Sequence, residues 1–220
     1  MKRNSSRRNS DKEIRRLTGL SILLASAVIL QLISNYVQLG TFSITLALIP
    51  IVLAGILYGP LGGTFLGLAM GALTIAAPAT LGGIFFLTNP FATVITCLGK
   101  MTMAGLIPSL IFLAFKKKHP NVGIVLASLA APFVNTGLFV ACSYLFFYPT
   151  LVELAGQTSS SVTSLVFLGF CGGNFLLEFS LNAALSPALL YLCKALFKRK
   201  DIGSDVIGTP KKEISSSEAK

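Results

Sequence analysis

Residues Gly173–Asn182, GNFLLEFSLN, set a carboxylate and two carboxamides into an otherwise apolar run, with Asn174, Glu178 and Asn182 at every fourth position. On a helix each step of four residues drifts by only about 40°, so the three polar side chains form one stripe. An isolated carboxylate in apolar surroundings is costly unless it is paired or hydrogen-bonded. Where this stripe faces, and what meets Glu178 there, decides the fold.

The chain around the stretch is built for lipid. Of its 220 residues 53% are hydrophobic and only 12% charged, with a mean hydropathy of +0.77. Soluble domains carry about a quarter charged residues. The charges are also segregated. Seven of the 18 Lys and Arg lie in residues 1–16, three are Lys116, Lys117 and Lys118, and seven lie from Lys194 to the end. Only Lys100 is left inside the apolar chain. The net charge of +10 therefore reads as basic residues kept in the cytosol beside membrane spans. No aromatic-interleaved basic face points to nucleic acid.

Apolar segments at 14–36, 43–58, 60–78, 89–115, 121–148 and 162–197 are read as six spans, although crossing takes about 20 apolar residues. The second and third are short, divided only by a turn at Gly59 and Pro60. An even number of spans keeps both basic ends and the Lys116–His119 loop inside, whereas five would export one end. The loops at 37–42, 79–88 and 149–161, which carry no Lys or Arg, then face outward. The expected fold is an all-α integral membrane protein, a six-helix bundle with both termini cytoplasmic. It comprises a basic tail at 1–13, a substrate-binding transmembrane domain at 14–197 and a polar tail at 198–220. The apolar run from Leu17 to Ile33 is long for a signal peptide and lacks a small-x-small cleavage site after it, so it reads as an uncleaved span.

Several chemistries are disfavoured by what the spans contain. Cys97, Cys142, Cys171 and Cys193 all fall in apolar segments without a Cys-x-x-Cys pair, and read as small core residues. The single histidine, His119, sits in a basic loop, which argues against a His-based metal centre. Gly99 and Lys100 are followed by Met101 and lack the upstream glycine of a phosphate-binding loop. Asp occurs only at Asp11, Asp201 and Asp205, so a lipid or prenyl transferase has no acidic metal motif to work with. No enzyme activity, cofactor or metal is expected.

Glycines recur on a four-residue beat at Gly55, Gly59, Gly63, Gly67 and Gly71. Pro60 interrupts the helix, so Gly63, Gly67 and Gly71 share one face, which suits close packing of another helix within the bundle. Ser21 and Ala25 make a second small-xxx-small pair on the first span.

The stripe has company at its own depth. Lys100 lies 16 residues before Lys116, Glu178 16 before Lys194, and Asn135 16 after His119. At about 1.5 Å per residue all three stand ~24 Å from the inner interface. Thr96 is one turn outward of Lys100, and Thr136 adjoins Asn135. A charge in mid-membrane costs roughly 2.5–3.5 kcal/mol on the insertion scale. Lys100 and Glu178 are the one opposite pair within the spans. They read either as a buried ion pair fixing helix register or, with the amides around them, as the wall of a cavity opening outward. Tyr36, Phe42, Phe85 and Phe86 in the outer loops are placed to cover a solute. Such a cavity suits a small polar molecule bearing a carboxylate or several hydrogen-bonding groups.

Four stretches together resemble one known family: LALIPIVLAGILYGPLGGTFLGLAMG (46–71), NPFATVITCLGKMTMAGLI (89–107), APFVNTGLFV (131–140) and GNFLLEFSLNAALSPAL (173–189). Their order and spacing look like the substrate-binding S component of energy-coupling factor (ECF) vitamin transporters, over residues 17–197. The resemblance implies a binding subunit of an ABC-type importer in the bacterial cytoplasmic membrane, without chemistry of its own. It takes a water-soluble vitamin from outside and works with a transmembrane coupling subunit and two cytosolic ATPases. Ser21 and Ala25 would then contact the coupling subunit; the family usually has Ala at both places, so Ser21 departs from it. The IPIVLAGILYGPLGG and PFVNTG segments look closest to pantothenate-type members and their unassigned relatives, with riboflavin or another vitamin as the alternative. Lys100 would neutralise the carboxylate, and Asn135 and Asn174 would reach hydroxyl and amide groups. Glu178, Thr96 and Asn89 complete the substrate-binding set. The rival from another class is a stand-alone secondary transporter with Glu178 as proton carrier.

Overall fold

The computed structural model describes residues 2–36, 38–39, 42–43, 45–76 and 82–198. Tyr36, Phe42 and the 198–220 tail, apart from the backbone of Tyr36, Phe42 and Lys198, fall outside what it describes. Helix α1 is Lys2–Tyr36, with no proline to stop it, and it runs straight through the boundary expected after residue 13. The two-residue strands β1 (Gln38–Leu39) and β2 (Phe42–Ser43) pair antiparallel. Then come α2 (Leu48–Tyr58), α3 (Pro60–Ala76), α4 (Gly82–Thr88), α5 (Pro90–Phe115), α6 (Pro120–Phe146), α7 (Tyr148–Gln157), α8 (Val162–Ser164), a π-helical stretch at Leu165–Gly172, and α9 (Gly173–Lys198).

Among the described residues four helical segments are long and apolar enough to cross a membrane: Glu13–Ser34, Pro90–Phe115, Pro120–Phe146 and Val162–Ala195. Helices α2 and α3 are apolar but shorter. Two segments expected to be loops carry helix instead: α4 occupies most of 79–88, and α7 most of 149–161. Proline explains how several of these elements start. Pro60, Pro90, Pro120 and Pro149 each open a helix at its first or second position, where the missing N–H costs nothing. Inside α9 Pro187 leaves the carbonyl of Ala183 without its helical donor, and the Ser186 hydroxyl donates to that oxygen at 3.0 Å.

Helix α2 is short because it does not face lipid. Ile51, Val52, Ala54 and Ile56 are buried on every side of it, as a helix hydrophobic all round must be. It packs against α1, α3, α5, α6 and α9. At its end Gly59 takes φ +80°, a left-handed conformation that glycine adopts without strain, and the chain reverses into α3.

Helix α3 lies against α5 at backbone distance, which confirms that the glycine beat is used inside the chain. A Cβ on Gly63 would stand 2.5 Å from the Gly105 carbonyl oxygen, and one on Gly67 would strike the Met101 carbonyl. Only a bare Cα fits there. Three apolar clusters result: Ile51, Leu66, Met70 and Met101 beside α1, Val52, Phe112, Ile124 and Leu189 around the other side of α2, and Phe85, Phe147, Leu151 and Val166 among α4, α7 and the π-helical stretch. Large apolar side chains such as Leu61, Phe91, Leu145 and Tyr191 point outward from the bundle.

Candidate functional site

Between the α1–α3–α5 cluster and the α4–α7 cluster lies a cavity of ≈ 100 Å³, several times the ~10–15 Å³ that one water occupies. Each long helix brings polar groups to it, and α2, apolar all round, brings none. From α5 come Thr93, Thr96, Cys97, Lys100 and Met101, an i, i+3, i+4, i+7, i+8 series that is one helix face. Helix α6 contributes Asn135, Thr136 and Phe139, and α9 contributes Asn174. Gln31 on α1, Thr74 on α3 and Thr45, just before α2, close the circle.

Four phenylalanines form the apolar wall: Phe85, Phe139, Phe147 and Phe170. The ring of Phe85 lies 4.8 Å from that of Phe147, 6.1 Å from Phe139 and 6.2 Å from Phe170, centroid to centroid. Phe170 and Cys171 sit in the π-helical stretch, and such bulges often mark functional positions. Phe86, also expected as cover, is exposed and does not line the cavity.

Lys100 and Glu178 occupy different places. The Lys100 amine extends over the ring of Phe139, 5.2 Å from its centroid, a cation–π arrangement. The amine makes no ion pair or hydrogen bond among the described residues. The Glu178 carboxylate is fully buried and does not line the cavity. It accepts a hydrogen bond from the backbone N–H of Thr45 at 3.0 Å and another from Asn135 Nδ2 at 3.3 Å. Of the two readings that the sequence left open, the direct ion pair does not form among the described residues: other donors take both carboxylate oxygens.

Of the sequence-derived candidates, Lys100, Asn135, Asn174 and Thr96 come together on the cavity wall. Glu178 sits behind Asn135. Asn182 is buried and donates to the Glu178 backbone carbonyl at 2.8 Å. Asn89 lies elsewhere: it is exposed at the start of α5, where its side chain accepts from the Ala92 N–H at 3.1 Å, which is a helix cap. Ser21 and Ala25 are exposed on α1, with the Ser21 hydroxyl donating to the Leu17 carbonyl at 2.9 Å.

Sequence reasoning passed over Gln31, Thr45, Thr74, Thr93 and three of the four rings. Gln31 was within reach, because it lies 15 residues after Arg16 and so at almost the depth of the other polar residues. Thr45 meets Glu178 with its backbone N–H as well as its side chain, and no side-chain pattern announces the backbone contact.

Residues 15–190 match the model of a family described as ECF transporter, substrate-specific component. No curated protein matches the chain.

Proposed function

Because the chain belongs to the substrate-specific components of ECF transporters, transporter subunits rather than enzymes, we propose that it captures a small water-soluble vitamin bearing a carboxylate. The observation that supports this reading is the Lys100 ammonium, set in the cavity wall over Phe139 without an acidic partner among the described residues. A half-buried cation in a cavity wall forms a charge-assisted contact with an anion brought to it. Pantothenate is the leading candidate, since it offers a carboxylate for Lys100 and hydroxyl and amide groups for Asn135 and Asn174.

In the same reading the chain is a multi-pass protein of the bacterial cytoplasmic membrane with six spans, α2 and α3 being the two short ones. Its terminal segments, 1–13 and 198–220, lie in the cytosol. Uptake then needs a transmembrane coupling subunit and two ATPases, with Ser21 and Ala25 on the exposed face of α1 meeting the coupling subunit.

The direct test is mass spectrometry of the small molecule that accompanies the protein through purification. Recovery of pantothenate or another carboxylate supports the reading, and recovery of a purely cationic solute overturns it. A second reading, riboflavin, is favoured by the wall of four phenylalanines, which suits a flat ring; the same measurement separates the two. A proton-coupled carrier built on Glu178 has less support, because that carboxylate lies behind the wall with both oxygens engaged. Uptake that survives ATP depletion but collapses with a protonophore would restore it.

A further inference from the structure

The cavity's polar groups are unequal in kind. Thr74, Thr93 and Thr96 line it, yet each hydroxyl already donates to a carbonyl one turn back, on Met70 at 2.9 Å, Asn89 at 2.9 Å and Ala92 at 2.8 Å. A hydroxyl has one proton, so each of these threonines has only lone pairs left to offer a solute. Asn135 is 3% exposed, its Nδ2 is committed to Glu178, and its Oδ1 has no hydrogen-bond partner among the described residues. Asn174 likewise has a buried Oδ1 without a partner there.

The direction of the Asn135 amide follows from Glu178. The amide nitrogen faces the carboxyl oxygen at 3.3 Å, so the amide oxygen turns the other way. We propose that Glu178 is a positioning residue that holds Asn135 with its carboxamide oxygen toward the cavity, making the wall acceptor-rich around the single Lys100 cation. The site thereby selects anionic solutes that carry hydrogen-bond donors, hydroxyl or amide N–H, near the carboxylate. Glu178 touches no solute. Its second oxygen, on the Thr45 N–H, anchors the carboxylate between α9 and the start of α2. A solute that brings a donor to these unmatched buried acceptors gains hydrogen bonds there, and a solute lacking the donors gains none even when its carboxylate reaches Lys100.

This inference deepens the vitamin-binding reading and rests on it for the ligand, but not for the orientation of Asn135. The test therefore has two arms on the full chain in detergent. The first needs no ligand: melting temperatures of Asn135→Asp, Glu178→Gln and the double variant. Asn135→Asp sets two carboxylates together and lowers the melting temperature. Adding Glu178→Gln supplies a donor and restores it to near the wild-type value. Additive losses in the double variant overturn the proposal.

The second arm titrates pantothenate and its di-O-methyl ether by calorimetry. The wild type is expected to prefer pantothenate by about tenfold or more. Glu178→Gln lets its amide donate to Asn135 Oδ1 and turns the Asn135 N–H groups inward, so the preference shrinks to about twofold or less. An unchanged preference overturns the positioning role. A wild type that binds neither probe removes pantothenate from the proposed function, and the exchange of charges in the first arm then decides the role of Glu178 alone.

Discussion

Lys100 on α5 and Phe139 on α6 meet in the cavity wall, with the ammonium 5.2 Å from the ring centroid, while Glu178 is held apart by Thr45 and Asn135. The opposite charges of the spans thus serve different neighbours. The cation is presented to the cavity, and the carboxylate is a fixture of the helices behind it. The two are therefore separable by substitution.

Lys100→Met is expected to weaken binding of a carboxylate vitamin by about 100-fold, the loss of the one charge contact on the cavity wall among the described residues. Folding stability should change by less than ~1 kcal/mol, because breaking a true buried pair costs about 3–5 kcal/mol and Lys100 makes none among the described residues. Calorimetric titration and melting in detergent measure the two quantities. A large drop in melting temperature with intact binding would return Lys100 to a purely structural role.

The α3–α5 seam predicts a strong dependence on side-chain size. Gly67→Leu drives a side chain into the Met101 backbone and should cost about 3 kcal/mol. Gly99, in the same helix pair, meets nothing within 4 Å of an added Cβ. Gly99→Ala is expected to be neutral or to stabilise by up to ~1 kcal/mol through helix propensity. Equal melting temperatures for the two variants would remove the close-packed seam.

Phe85 closes one side of the cavity from α4 and is 3% exposed. Phe85→Ala should speed release of the bound vitamin by about tenfold or more while leaving the association rate nearly unchanged. Stopped dissociation of radiolabelled ligand reads this directly. An unaltered off-rate would mean that α4 packs against the site without retaining its contents.

Ser21 is exposed on α1 and, among the described residues, bonds only to its own helix. Ser21→Leu should leave ligand capture and stability as they are and abolish ATP-driven uptake, because it thickens the proposed docking face. Uptake assayed in vesicles containing the complete transporter provides the measurement. Full transport by this variant would remove the interface assignment.

Much of the design can be read along the chain. Apolar runs, prolines and segregated basic residues locate the helices, because hydropathy and backbone rules act locally. Counting from Lys116, Lys194 and His119 brings Lys100, Glu178 and Asn135 to one depth, since helical rise is constant. Three of the four candidates later found on the wall, Lys100, Asn135 and Asn174, are polar residues within apolar runs, which makes them conspicuous. Asn89 misled for the same reason: a polar residue before Pro90 is conspicuous, but its side chain caps α5.

Which way each conspicuous group turns was decided only in three dimensions. Depth says nothing about azimuth, so Lys100 and Glu178 at one level could meet or be held apart. The backbone N–H of Thr45, on the far side of the bundle in chain order, settles the carboxylate. The ring of Phe139 receives the amine. Short helices such as α4 and α7 likewise form where their apolar faces find Phe147 and Val166 to cover. Local sequence sets where a helix can lie and how deep its residues sit, whereas the partner of a buried charge depends on the packing of distant segments.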